Sequence, residues 1–139
     1  MKQTILTLTI LFFSNLTFSQ SETPKNIITN QNVIDKNSVY QLFPTSNIWT
    51  FLKLDTRNGK IWQVHFSVND DESQGELVLN DLELAAKENQ TIGRFTLYPT
   101  SNHYNFLLLD KIDGTVIQIQ WSFDDKKRGI ISLIKPKKD

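Results

Sequence analysis

Leu42-Phe43-Pro44-Thr45-Ser46-Asn47 returns as Leu97-Tyr98-Pro99-Thr100-Ser101-Asn102, and that repetition decides the fold. The offset of 55 residues between Leu42 and Leu97 runs without a gap to Asp70 and Asp125. Along it Phe51-Leu52 meets Phe106-Leu107, Leu54-Asp55 meets Leu109-Asp110, Gly59 meets Gly114 and Gln63 meets Gln118. Mismatches keep their physical character, as in Trp49/Tyr104, Ile61/Val116, Val64/Ile119 and Phe66/Trp121. One residue is then dropped, and Gly75 aligns with Gly129. A period of this length is a supersecondary unit used twice, so each element is assigned once and applied to both copies.

Each copy reads as four strands. Tyr40 to Phe43, or Phe95 to Tyr98, is a short first strand that stops at proline, which cannot donate to a ladder. Ile48 to Leu54 and Lys60 to Val68 form a hairpin across Thr56-Arg57-Asn58-Gly59. Tyr104 to Leu109 and Thr115 to Phe123 repeat it around Lys111-Ile112-Asp113-Gly114. Asn-Gly and Asp-Gly between apolar runs are strong hairpin signals, because glycine reaches positive φ without steric cost. A fourth strand, Glu76 to Leu79 or Ile130 to Ile134, follows a polar turn. Between the copies, Asn80-Asp81-Leu82-Glu83 reads as a helix N-cap with a carboxylate three residues on, which predicts a short helical connection.

The expected fold is therefore all-β, with two pseudo-equivalent four-stranded antiparallel units in one sandwich-like, barrel-like or blade-like domain. Repeat 1 spans 38–80, repeat 2 spans 93–134, and 81–92 joins them. In the second hairpin arm Trp62, Val64, Phe66 and Val68 share one face, as do Ile117, Ile119, Trp121 and Phe123. Gln63, His65 and Ser67 take the other, matched by Gln118, Gln120 and Ser122. The first arm is apolar on both faces, with Phe51 opposite Leu52 and Leu54. A two- or four-residue loop puts the phenylalanines over the tryptophan face, and a three-residue loop puts the leucines there. Apolar residues on both faces predict a sheet covered on both sides, with Trp62 and Trp121 buried.

Met1-Lys2, the apolar run Ile5 to Phe13 and the polar exit Asn15 to Gln20 read as a secretory signal peptide (1–19), cleaved between Ser19 and Gln20. The apolar run is too short for a membrane span of about 20 residues. A polar segment (20–37) leads into the domain as a flexible stretch in which Ile27-Ile28 is a candidate edge strand. With no cysteine there is neither a lipid-attachment site nor a disulfide, which predicts a periplasmic or secreted domain held by its core alone. Fifteen basic residues balance fifteen acidic ones, which argues against nucleic acid as a partner.

Leu54-Asp55-Thr56-Arg57-Asn58-Gly59-Lys60-Ile61-Trp62 resembles the hairpin of propeller blades that carry Asp, then Thr-Gly-Lys, then Trp. Two repeats cannot close a propeller, which needs at least four blades. More broadly, the duplicated Pro-Thr-Ser-Asn pattern with Leu-Asp, Gly and Trp-Ser or Phe-Ser, from Tyr40 to Leu133, resembles a group of small exported bacterial proteins. That resemblance implies architecture and export, and carries nothing about catalysis.

The candidate sites are few. His65 and His103 fall at non-equivalent positions, and zinc needs three or four convergent ligands, so no metal is expected. Asn69-Asp70-Asp71-Glu72 and Asp124-Asp125 read as solvated turns, since Lys126-Lys127-Arg128 follows the second and repels a cation. Asp55 and Asp110 begin the hairpin loops and read as Asx-type caps; a paired-carboxylate hydrolase is the outlying alternative. No cofactor is expected, because glycine-rich phosphate loops and nucleophile elbows are missing. Pro-Thr-Ser-Asn reads first as a turn. The candidate ligand-binding set is Thr45, Ser46, Asn47 and Trp49 with Thr100, Ser101, Asn102 and Tyr104, two equivalent loops whose aromatics suit a sugar or peptide. The expected function is a non-enzymatic, exported binding module for a glycan or protein partner. A periplasmic immunity or inhibitor protein is the second class.

Overall fold

The computed structural model describes residues 37–69 and 74–137. The expected signal peptide (1–19), the lead-in as far as residue 36 with its Ile27-Ile28 strand candidate, and Asp70-Asp71-Glu72 lie outside the described residues. Eight strands form two antiparallel meanders. The first sheet is β1 (Tyr40–Pro44), β2 (Thr50–Asp55), β3 (Ile61–His65) and β4 (Gly75–Asn80), in that order. The second is β5 (Phe95–Pro99), β6 (Asn105–Asp110), β7 (Val116–Gln120) and β8 (Gly129–Ile134). Neither sheet closes into a barrel, and together they pack as a sandwich-like pair.

The hairpin loops hold four residues each, 56–59 and 111–114. The Asp55 N–H donates to the Lys60 carbonyl at 2.9 Å and the Gly59 N–H to the Asp55 carbonyl at 3.0 Å. Asp110, Thr115 and Gly114 repeat both bonds at 2.9 Å. Gly59 and Gly114 both sit at φ +79°, where a side chain is sterically disfavoured. The even loop length pairs Phe51 with Val64 and Lys53 with Trp62, so the phenylalanines do share the tryptophan face.

The two sheets, however, do not bury the same face. The first turns Phe43, Leu52, Leu54 and Ile61 inward, whereas the second turns Leu97, Phe106, Leu108 and Ile119 inward. Phe43 and Leu52 correspond to Tyr98 and Leu107, which point outward; Leu97 and Phe106 correspond to the outward Leu42 and Phe51. The sheets are stacked front to back, like consecutive copies of one tile. One backbone bond and one to a side chain fix the stack: the Phe95 N–H donates to the Thr56 carbonyl at 2.8 Å and the Gly93 N–H to Thr56 Oγ1 at 3.0 Å. At the far side, His65 meets Phe123 edge-on with ring centroids 5.3 Å apart.

Two expectations are corrected by this stacking. Among the described residues each sheet is covered on one face only. Trp62 is half-buried instead of buried, because its face is the outward one in the first sheet, where it lies against Tyr40 and under the Lys53 ammonium. Trp121 is buried as expected. The connection carries one 3-10 turn, Lys87–Asn89, later than the sequence signal suggested. Asn80 caps a turn of its own: its Oδ1 accepts from the Leu82 N–H at 3.1 Å, and its Nδ2 donates to the Gly59 carbonyl at 2.8 Å. Leu84, from the same connection, packs against the core shared by both sheets.

Candidate functional site

The two Pro-Thr-Ser-Asn segments fold into the same turn. Thr45 Oγ1 donates toward the carbonyls of Asn47 (3.1 Å) and Thr50 (2.9 Å), and the Trp49 N–H donates to Asn47 Oδ1 at 2.8 Å. In the second copy Thr100 Oγ1 reaches the carbonyls of Asn102 (3.1 Å) and Asn105 (3.0 Å), and the Tyr104 N–H donates to Asn102 Oδ1 at 3.0 Å. Thr45, Asn47, Thr100 and Asn102 are thus engaged in building the turn, as Asx and Ser/Thr turn chemistry requires. What projects from it is Ser46 or Ser101 and the aromatic that follows.

Front-to-back stacking brings the two turns together at one end of the molecule. Ser46 Oγ donates to the His103 carbonyl at 3.3 Å, and Trp121 Nε1 donates to the same carbonyl at 2.9 Å. This joint links the first loop, the second loop and the core tryptophan. Trp49 remains 37% exposed, with its ring 5.4 Å from Phe66. Tyr104 is 56% exposed and lies 5.3 Å from Trp121. Each aromatic is therefore braced from behind by another ring and open in front. Such an edge can stack on an apolar or sugar face while nearby hydroxyls bond its polar rim. The joint at His103 was not legible in the sequence, because a main-chain carbonyl leaves no side-chain signature.

The other candidates are occupied by structural roles. Asp55 is buried and accepts from the Arg57 side chain at 2.8 and 3.0 Å, from the Arg57 N–H at 3.0 Å and from Asn58 Nδ2 at 3.3 Å. Burial pushes its carboxyl up, but the bonds and charge of Arg57 outweigh that and hold it below the usual carboxylate range. Asp110, equally buried, accepts from the Ile112 N–H at 2.9 Å and from Arg94, whose Nη2 stands 2.7 Å from its Oδ2. Arg94 is itself buried and also donates to the Asn89 carbonyl at 2.9 Å. Sequence reasoning placed both aspartates as caps but missed Arg94, which stands just before β5 at the repeat position held by Val39 in the first copy.

His65 Nδ1 lies 3.1 Å from the Thr50 hydroxyl, on the buried side of the first sheet. No three His, Cys, Asp or Glu side chains converge among the described residues. Asp124 caps the 3-10 turn Asp125–Lys127 by accepting from the Lys126 N–H at 3.0 Å, and pairs with Lys127 at 3.4 Å. No helix among the described residues is long and apolar enough to cross a membrane. No family model, no curated protein and no solved structure matches this chain.

Proposed function

We propose that this chain is an exported, non-enzymatic binding module that takes its ligand, a glycan or a peptide, at the end formed by the two Pro-Thr-Ser-Asn loops. One observation carries the reading: the Ser46 bond to the His103 carbonyl holds two equivalent loops together, each presenting an exposed, ring-braced aromatic. Turn chemistry accounts for the threonines and asparagines, but it requires no aromatic at Trp49 or Tyr104. The engagement of Asp55 and Asp110 by arginines and backbone N–H groups weighs against a paired-carboxylate hydrolase. Export rests on the N-terminal sequence pattern, which places the mature protein in the periplasm or outside the cell.

The test is a glycan and peptide array probed with the wild type, followed by titration of Trp49→Ala and Tyr104→Ala on any captured probe. Loss of a stacking aromatic should weaken binding about tenfold in each variant, with little loss of stability. Unchanged affinity in both variants would remove the loop end as the site.

A further inference from the structure

We propose that the two open sheet faces bind each other between molecules, so that this chain assembles head to tail with further copies of itself. The proposal does not depend on the ligand site at the loop end. Its template is the interface already inside the molecule, where the front of the first sheet is packed on the back of the second.

The open face of the first sheet carries Leu42, Phe51, Val64 and Phe66. These hold the repeat positions of Leu97, Phe106, Ile119 and Trp121, all buried at the internal interface. The open face of the second sheet carries Tyr98, Leu107, Leu109 and Val116, the counterparts of the buried Phe43, Leu52, Leu54 and Ile61. Each open face is thus a chemical copy of a surface that is covered elsewhere in the same molecule, and the two are the complementary pair. Contiguous apolar surface of this kind on a small domain marks an interaction site.

Two positions depart from the template: Glu76 stands where the second repeat has Ile130, and Lys53 stands where it has the buried Leu108. Its ammonium is paired with Glu76 and sits 4.7 Å from the Trp62 ring centroid, so the charge is neutralised within the face. The ends of the stack differ as the proposal requires. Among the described residues, a Cβ built on Gly59 would meet the Leu84 side chain at 2.8 Å, whereas one on Gly114 meets nothing within 4 Å. Among those residues the second repeat has no counterpart of the Leu84 contact that covers the first. By the same equivalence, the internal bond from the Phe95 N–H to the Thr56 carbonyl has its intermolecular counterpart in Tyr40 N–H and the Lys111 carbonyl.

An interface between two different patches is heterologous, and it generates a ring where the rotation closes and a filament where it does not. Rings of four-stranded blades close at roughly four to eight blades, which for two blades per chain means about two to four copies. The duplication that cannot close within one chain would then close between chains.

The experiment uses the chain expressed with its own N-terminal segment and collected as the cell processes it. Its mass is followed by light scattering over a concentration series for the wild type, Leu42→Glu and Tyr98→Glu. Both positions are half open to solvent, 54% and 51%, so each variant should fold; circular dichroism checks this, and Val78→Lys or Leu107→Lys replaces one that does not. The wild type should associate to two or more chains, and each variant should lose association by about 30-fold or more. Mixing the two variants should restore association and stop it at two chains, because one retains only the first-sheet face and the other only the second. A wild type monomeric up to about 1 mM, association surviving in either variant, or a mixture that stays monomeric would each overturn the proposal.

Discussion

Phe66 and Trp121 hold the same place in the two repeats, yet Phe66 is 39% exposed and Trp121 is 3% exposed. Both follow a hairpin arm, and both have their backbone N–H bonded at 3.0 Å to the aromatic residue after the turn, Phe66 to the Trp49 carbonyl and Trp121 to the Tyr104 carbonyl. Local structure is therefore the same, and the difference comes from stacking alone.

That difference predicts unequal costs for the same substitution. Trp121→Ala should destabilise by about 3–5 kcal/mol, since it empties a large buried site and removes one of the two bonds to the His103 carbonyl. Phe66→Ala should cost about 1 kcal/mol in dilute solution, where its face is open. Urea melts of the two variants measure this directly. Equal losses would mean that both repeats bury the same face and that the front-to-back arrangement is wrong.

The strands, the hairpins and the capping aspartates were legible because their causes are local. Alternation, Asn-Gly or Asp-Gly and an aspartate at the loop mouth act within a few residues. Which face lies inside was not legible. Leu52 and Phe51 are both apolar, so a period of two separates the faces without ranking them. Only the way one repeat sits on the other decides, and it decides oppositely for Leu52 and Leu107. The same holds for the loop end. The turns could be read from Thr45 and Asn47, but their meeting through Ser46 and His103 spans 57 residues of chain.

Acid should weaken the fold through Asp55. Its carboxyl is held below the usual range by Arg57, so the folded state binds its proton less readily than the unfolded chain does. The stabilisation is present above the ordinary aspartate value, near pH 4, and is lost as the pH falls through the lowered folded value. Urea midpoints should stay flat from about pH 7 to about pH 5 and fall below about pH 4. Asp55→Asn should start lower at neutral pH and show a shallower acid decline. An unaltered decline in that variant would place the acid sensitivity in other carboxyl groups.

Gln63 offers the opposite kind of change, a gain. Its side chain is fully buried, and among the described residues neither Nε2 nor Oε1 has a hydrogen-bond partner. Its counterpart Gln118 donates to Asn105 Oδ1 at 2.9 Å and accepts from Ser132 Oγ at 3.3 Å. In the first repeat the place of Asn105 is taken by Thr50, whose hydroxyl is 3.1 Å from His65 Nδ1 and does not serve Gln63. A buried amide without partners costs about 1–3 kcal/mol, and an apolar group of similar shape avoids that cost. Methionine has nearly the same length and adapts to irregular space. Gln63→Met should therefore raise stability by about 1–3 kcal/mol, seen as a higher denaturant midpoint with an unchanged slope. Gln118→Met, which leaves the buried Asn105 Oδ1 without its donor, should lower it by about 1 kcal/mol. If Gln63→Met destabilised the protein as Gln118→Met does, the Gln63 amide would have to be bonded in solution, and the two repeats would be alike at this position after all.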